Sequence, residues 1–188
     1  MSDYSRVRRQ QLLREAEGYL ELVSLFPEKW RLSPTTRDSL VQHALDILAK
    51  IQRTPANAVH VLFLTGHGFR LMERYREAVQ PLVAAVELDP DNLSALLALG
   101  WCYKRLDRIG DAIDVLEQAA LIDEAPGVVP YNLACYYALA RNVPMAVLYL
   151  TQAFEIDAAF RERVVHETDF DSVRHDPHFQ ALIGSVIV

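Results

Sequence analysis

The sequence predicts an all-α fold of stacked helical hairpins. Three observations carry that expectation: an internal period of 34 residues, small residues recurring at fixed places within it, and turn chemistry between successive apolar helical stretches. Read in register, Val59–Asn92, Leu93–Pro126 and Gly127–Phe160 align without a gap. Gly66 falls on Gly100 and Ala134, and Phe69 on Tyr103 and Tyr137. Ala78 falls on Ala112 and Ala146, Leu82 on Leu116 and Leu150, and Ala85 on Ala119 and Ala153. Small residues let paired helices approach closely, and the large ones fill the volume between helices.

Ahead of the repeats, Tyr4 to Leu25 has helical periodicity, with Leu12, Leu13, Ala16, Tyr19, Leu20 and Val23 on one face. Phe26 and Pro27 are expected to end it, and Ser33-Pro34 to open a second helix over Thr35 to Gln52. Ala44, Leu48 and Ile51 stand one period before Ala78, Leu82 and Ala85, so residues 1–58 read as a degenerate repeat whose enlarged turn contains Trp30. An unrelated capping hairpin is the alternative. Each full repeat, 59–92, 93–126 and 127–160, reads as two helices. The intervening turns are expected at Glu73-Arg74-Tyr75, Asp107-Arg108-Ile109-Gly110 and Arg141-Asn142-Val143-Pro144. Asp91 or Asn92 is placed to cap the helix after Pro90, and Pro130 to begin the first helix of the third repeat. Residues 161–188 read as a terminal cap, with Phe170, Val173, Phe179, Leu182 and Ile183 as its buried side.

The chain has 188 residues, about half of them apolar, and a net charge of −6. That charge argues against nucleic acid as a partner. The longest apolar stretch, Leu96 to Cys102, falls far short of a membrane span, and the polar start MSDYSRVRRQ carries no secretory pattern. Two cysteines, Cys102 and Cys135, match neither a disulfide framework nor a zinc spacing, so a reducing, cytoplasmic setting is expected.

The pattern Leu62, Gly66, Phe69, Ala78, Leu82, Ala85, Pro90 resembles the tetratricopeptide repeat, as does Leu96, Leu99, Gly100, Tyr103, Ala112, Leu116, Ala119. Pro130 and Ala158 depart from it. Tyr131 to Leu139 together with the ending Asp169 to Leu182 is similar to the close of bacterial arrays of this family. The resemblance implies an α-solenoid, a right-handed superhelix whose first helices line a concave groove. Carried over, the groove positions are His60, Phe63, His67 and Arg70, then Leu97, Trp101, Lys104 and Arg105, then Tyr131, Asn132 and Cys135. Chaperone-binding relatives hold a terminal carboxylate with lysines and asparagines, and here Phe63 and His67 occupy those places. The expected partner is therefore an apolar peptide or protein segment with some acidic character, gripped by Arg70 and Arg105.

The expected function is a non-catalytic scaffold or adaptor without a cofactor. A self-associating homo-oligomer is the alternative, which would cover Trp101 and Tyr131. A metal-dependent enzyme at His166, His175 and His178 is the third reading. It is disfavoured because metal ligation needs a third ligand at fixed geometry, and the His175–His178 pair lies around Pro177 in the expected terminal cap. Asp89 with Asp91 and Asp169 with Asp171 read as caps or solvated surface rather than acid–base pairs.

Overall fold

The computed structural model describes residues 3–25, 32–122 and 125–184. Among them are ten α-helices and no strand. The turn expected around Trp30, with Phe26 and Pro27, lies outside the described residues. The chain divides into two compact units, Met1–Cys102 and Tyr103–Val188.

The first unit contains α1 (Asp3–Leu25), α2 (Pro34–Ala49), α3 (Ala58–Leu71), α4 (Tyr75–Leu88) and most of α5 (Leu93–Arg105). The α2 helix begins as its sequence dictates. Ser33 accepts the Thr36 amide at 3.1 Å, and Pro34 occupies the first turn, where a missing N–H costs nothing. It stops at Ala49, short of the Gln52 expected, although Ile51 beyond it is still buried. The α1 helix packs on α2 and α3, and α2 packs on α3. Ala16, Leu20, Val41, Ala44, Leu48, Val61 and Leu64 form the shared core. Asn92, rather than Asp91, caps α5 by accepting the Ala95 amide at 3.0 Å.

The second unit contains the end of α5, then α6 (Ile109–Ala120), α7 (Val128–Leu139), α8 (Val143–Ile156), α9 (Phe160–Val164), a 3₁₀ turn (Thr168–Phe170) and α10 (Pro177–Gly184). Helix α7 packs on α6, α8 and the 3₁₀ turn, and α10 closes against α8. The helix starts two residues before Pro130, which sits buried within the first turn. Phe170, Val173 and Phe179 are buried as the cap pattern requires.

The periodic positions explain why the hairpins close. Ala78, Leu82 and Ala85, and their counterparts in α6 and α8, are all fully buried. At Gly66 a Cβ would lie 2.5 Å from Leu82 Cγ, so only glycine permits this α3–α4 approach. The three turns repeat one backbone solution. Glu73, Asp107 and Arg141 each adopt a left-handed conformation, with φ of 60°, 59° and 58°. The next residue donates its amide back to the aromatic of the preceding helix: Arg74 to Phe69, Arg108 to Tyr103 and Asn142 to Tyr137, at 2.9, 2.9 and 2.8 Å. Arg74 and Arg108 also lay their guanidinium groups over those same rings, at 4.8 and 4.3 Å. Tyr75, Ile109-Gly110 and Val143-Pro144, expected in the turns, are already helical; Pro144 fits because it falls in a first turn.

Candidate functional site

In the first unit, α3 carries His60, Phe63, His67 and Arg70. Phe63 and His67 stack with ring centroids 5.7 Å apart. One turn later, Arg70 Nη2 donates to His67 Nδ1 at 3.1 Å. Because a guanidinium only donates, that contact fixes Nδ1 as the acceptor and leaves the ring proton on Nε2. Burial, with Arg70 nearby, lowers the His67 pKa to about 4, so the imidazole is neutral at pH 7. Arg70 is itself largely removed from water, and burial lowers its pKa. Its Nε is buried without a hydrogen-bond partner. No carboxylate neutralises this cation among the interactions of the described residues.

The N-terminal helix borders this face. Glu17 binds His60 Nε2, and a cleft of about 230 Å³ runs between α1 and α3, lined by Glu17, Leu20, Glu21, Phe63, Leu64 and His67. The α1 helix therefore forms one wall of the site without filling it. On α5, Leu97 is half-buried and Trp101 keeps 38% of its surface exposed.

In the second unit the expected groove residues have different surroundings. Tyr131 and Cys135 are only 5% and 3% exposed. Tyr131 stacks on Phe160 at 4.7 Å and meets Phe170 edge-on at 6.0 Å. The open surface expected at these two positions is therefore filled by the chain's own C-terminal segment, because aromatic residues of the cap need apolar cover. Asn132 remains half-buried and Arg105 exposed. Lys104 forms an ion pair with Asp169, so it is engaged inside the unit rather than offered at a groove rim. Asp169 is the buried acid of the described residues, which corrects its reading as a cap or solvated carboxylate.

Cys135 Sγ and one carboxylate oxygen each from Glu167 and Asp169 lie within 4.8 Å of one another. The Tyr131 hydroxyl is buried with no hydrogen-bond partner. Burial first, then the neighbouring Cys135, Glu167 and Asp169, raises its pKa. Burial also pushes the Cys135 thiol well above its usual value and the Cys102 thiol up to about 11. Neither is a reactive thiolate at neutral pH. His166, His175 and His178 form no three-ligand group among the described residues.

Glu17, Glu167 and Asp169 were not among the sequence-derived site residues. Glu17 lies 43 positions from His60, and Asp169 lies 65 from Lys104, so no local spacing betrays either pairing.

Residues 70–128 match the family model of the tetratricopeptide repeat. Helix pairs with buried alanine and leucine positions continue on both sides of that stretch, and the left-handed turn recurs after it at Arg141. Residues 70–128 are therefore a tetratricopeptide repeat segment. Solved structures share its fold. A crystal structure of MamA superposes with a TM-score of 0.67 at 17% identity, over 80% of this chain and 86% of the other. A putative kinesin light chain of Podosopora anserina, with nearly identical tetratricopeptide-like repeats, gives 0.66 at 19% identity, over 99% and 95%. MamA from Desulfovibrio magneticus RS-1 gives 0.61 at 18% identity, over 90% and 94%. No curated protein matches the chain. At these identities the likeness concerns the fold. Among the described residues, no helix is long and apolar enough to cross a membrane.

Proposed function

We propose that this protein is a non-catalytic scaffold that holds a partner segment on the face formed by the first helices of its repeats. The observation that supports the reading best is Arg70. A largely buried guanidinium with an orphaned Nε and a neutral histidine as its hydrogen-bond neighbour is costly to keep unneutralised. A carboxylate presented by a partner would offset that cost through charge-assisted hydrogen bonds. Beside it, Phe63 and His67 form a stacked aromatic surface, and Leu97 and Trp101 add apolar area. The partner chemistry is thus an apolar side chain close in sequence to an acidic one. Tyr131 and Cys135 would support the fold beneath the cap and not touch the partner. Tetratricopeptide proteins in general serve as protein-interaction modules, which supports the broad class but names no partner.

The test compares the wild-type chain with folded Phe63→Ala/Trp101→Ala and Arg70→Gln variants in quantitative pull-downs from native-source lysate. A protein retained by wild type should be lost by the double variant and weakened by Arg70→Gln, the latter with reduced salt sensitivity. An identical retained set for all three would remove this face as the working surface. Sedimentation at several concentrations separates the self-association alternative, in which size grows with protein concentration whatever partner is present.

A further inference from the structure

The second unit brings together side chains that the scaffold reading does not use. Cys135 stands on α7, while Glu167 precedes and Asp169 lies within the 3₁₀ turn packed against that helix. Their three ligand-capable atoms lie within 4.8 Å of one another. Two carboxylates held so close repel each other, yet one ammonium, that of Lys104, serves the pair, and it binds Asp169. Among the described residues Glu167 has no salt-bridge partner; its carboxylate accepts the Asp169 amide at 3.4 Å. On α7 itself, the Tyr131 hydroxyl is buried, unpartnered and in the field of the same three groups and of Arg163. A buried orphan hydroxyl beside a thiol and two clustered carboxylates points to a missing ligand that is cationic, or that carries bound water.

We propose that Cys135, Glu167 and Asp169 form a binding site for a zinc-class divalent cation, with the Tyr131 hydroxyl positioned to hydrogen-bond the metal's open coordination position or one of its carboxylate ligands. The donor set selects the class of ion. Magnesium and calcium take oxygen ligands, whereas zinc accepts sulfur and carboxylate oxygen together. Three protein ligands leave a fourth position for water. Charge also balances once the ion displaces the Cys135 proton to solvent: a thiolate and two carboxylates carry three negative charges, and Lys104 with a divalent ion supplies three positive ones. The ion would tie α7 to the C-terminal segment, so its role is to clamp the cap.

The experiment uses the full chain after chelator treatment and dialysis. Zinc chloride and cobalt chloride are titrated by calorimetry and absorption spectroscopy, with magnesium chloride as the oxygen-preferring control. The expected result is one zinc per chain, no response to magnesium, and a near-ultraviolet sulfur-to-cobalt charge-transfer band. Cys135→Ala should abolish that band, and Glu167→Gln should weaken zinc binding at least about tenfold. Far-ultraviolet circular dichroism checks that each variant is folded, and Tyr131→Phe, which leaves the packing intact, gives a third, milder loss. A wild-type chain that takes up no zinc overturns the proposal. So does cobalt binding without a charge-transfer band, or zinc binding undiminished in Cys135→Ala, either of which would place the metal on other residues.

Discussion

Replacing Gly66 with alanine adds one methyl group at the closest helix contact in the first unit. The new Cβ would sit 2.5 Å from Leu82 Cγ, 2.8 Å from Leu82 Cδ2 and 3.1 Å from the Ala78 carbonyl oxygen. Carbon atoms prefer a separation of about 3.5–4.0 Å, so α3 and α4 must part by roughly an ångström or Leu82 must leave its rotamer. Leu82 is completely buried and Ala78 contributes backbone, so neither yields cheaply. Overpacking of this kind costs about 1–3 kcal/mol, and this contact belongs near the upper end. Alanine in place of glycine returns up to about 1 kcal/mol of helix propensity. The net loss is about 1–2 kcal/mol, a fall in melting temperature of about 2–8 °C for a chain of this size. Gly18→Ala is the matched control, because Gly18 lies exposed in α1 and an added Cβ there meets nothing within 4 Å. It should raise the melting temperature by about 2–4 °C. Thermal unfolding followed by circular dichroism reads both variants. A Gly66→Ala melting temperature equal to or above wild type would refute the close-packing argument for the α3–α4 hairpin.

Three further outcomes follow from local features. Arg141→Gly relieves a left-handed φ of 58° at an exposed turn and should raise stability by up to about 1 kcal/mol, measured by urea denaturation. The His67 pKa is lowered in the folded state from 6.5 to about 4, so the unfolded chain takes up that proton first. Its contribution is complete above pH 6.5, falls as pH drops toward 4 and is then exhausted, with an upper bound of roughly 3 kcal/mol. His67→Asn should therefore lose less stability than wild type between pH 7 and pH 5, and equal losses would contradict the assignment. Arg174 donates to the Glu167 carbonyl at 2.8 Å and to the Val164 and Val165 carbonyls at 3.5 and 3.4 Å, and pairs with Asp171. Arg174→Met should destabilise the C-terminal segment by about 1–2 kcal/mol, with amide exchange quickening in α9 and the 3₁₀ turn before the rest of the second unit.

The sequence by itself determined the repeat. A hairpin buries residues at a spacing fixed by helix geometry, so Ala78, Leu82 and Ala85 and their two successors could be recognised as core from their 34-residue recurrence. Cap chemistry was legible at Ser33 and Asn92 for a local reason: each acts on an amide within three residues. That Phe63 and His67 share one side of α3 was also legible, since residues four apart in a helix are neighbours. Only the tertiary structure decided what covers the third repeat. Tyr131 disappears beneath Phe160 and Phe170, and Lys104 turns to Asp169, because the terminal segment folds back over α7. Those partners are separated by 29, 39 and 65 positions, and no periodicity links them. The left-handed turns at Glu73, Asp107 and Arg141 were hidden too, since none of the three residues is a glycine. Their conformation is imposed by the hydrogen bond that the next amide makes to the preceding helix, a constraint of the closed hairpin and not a preference of the residue.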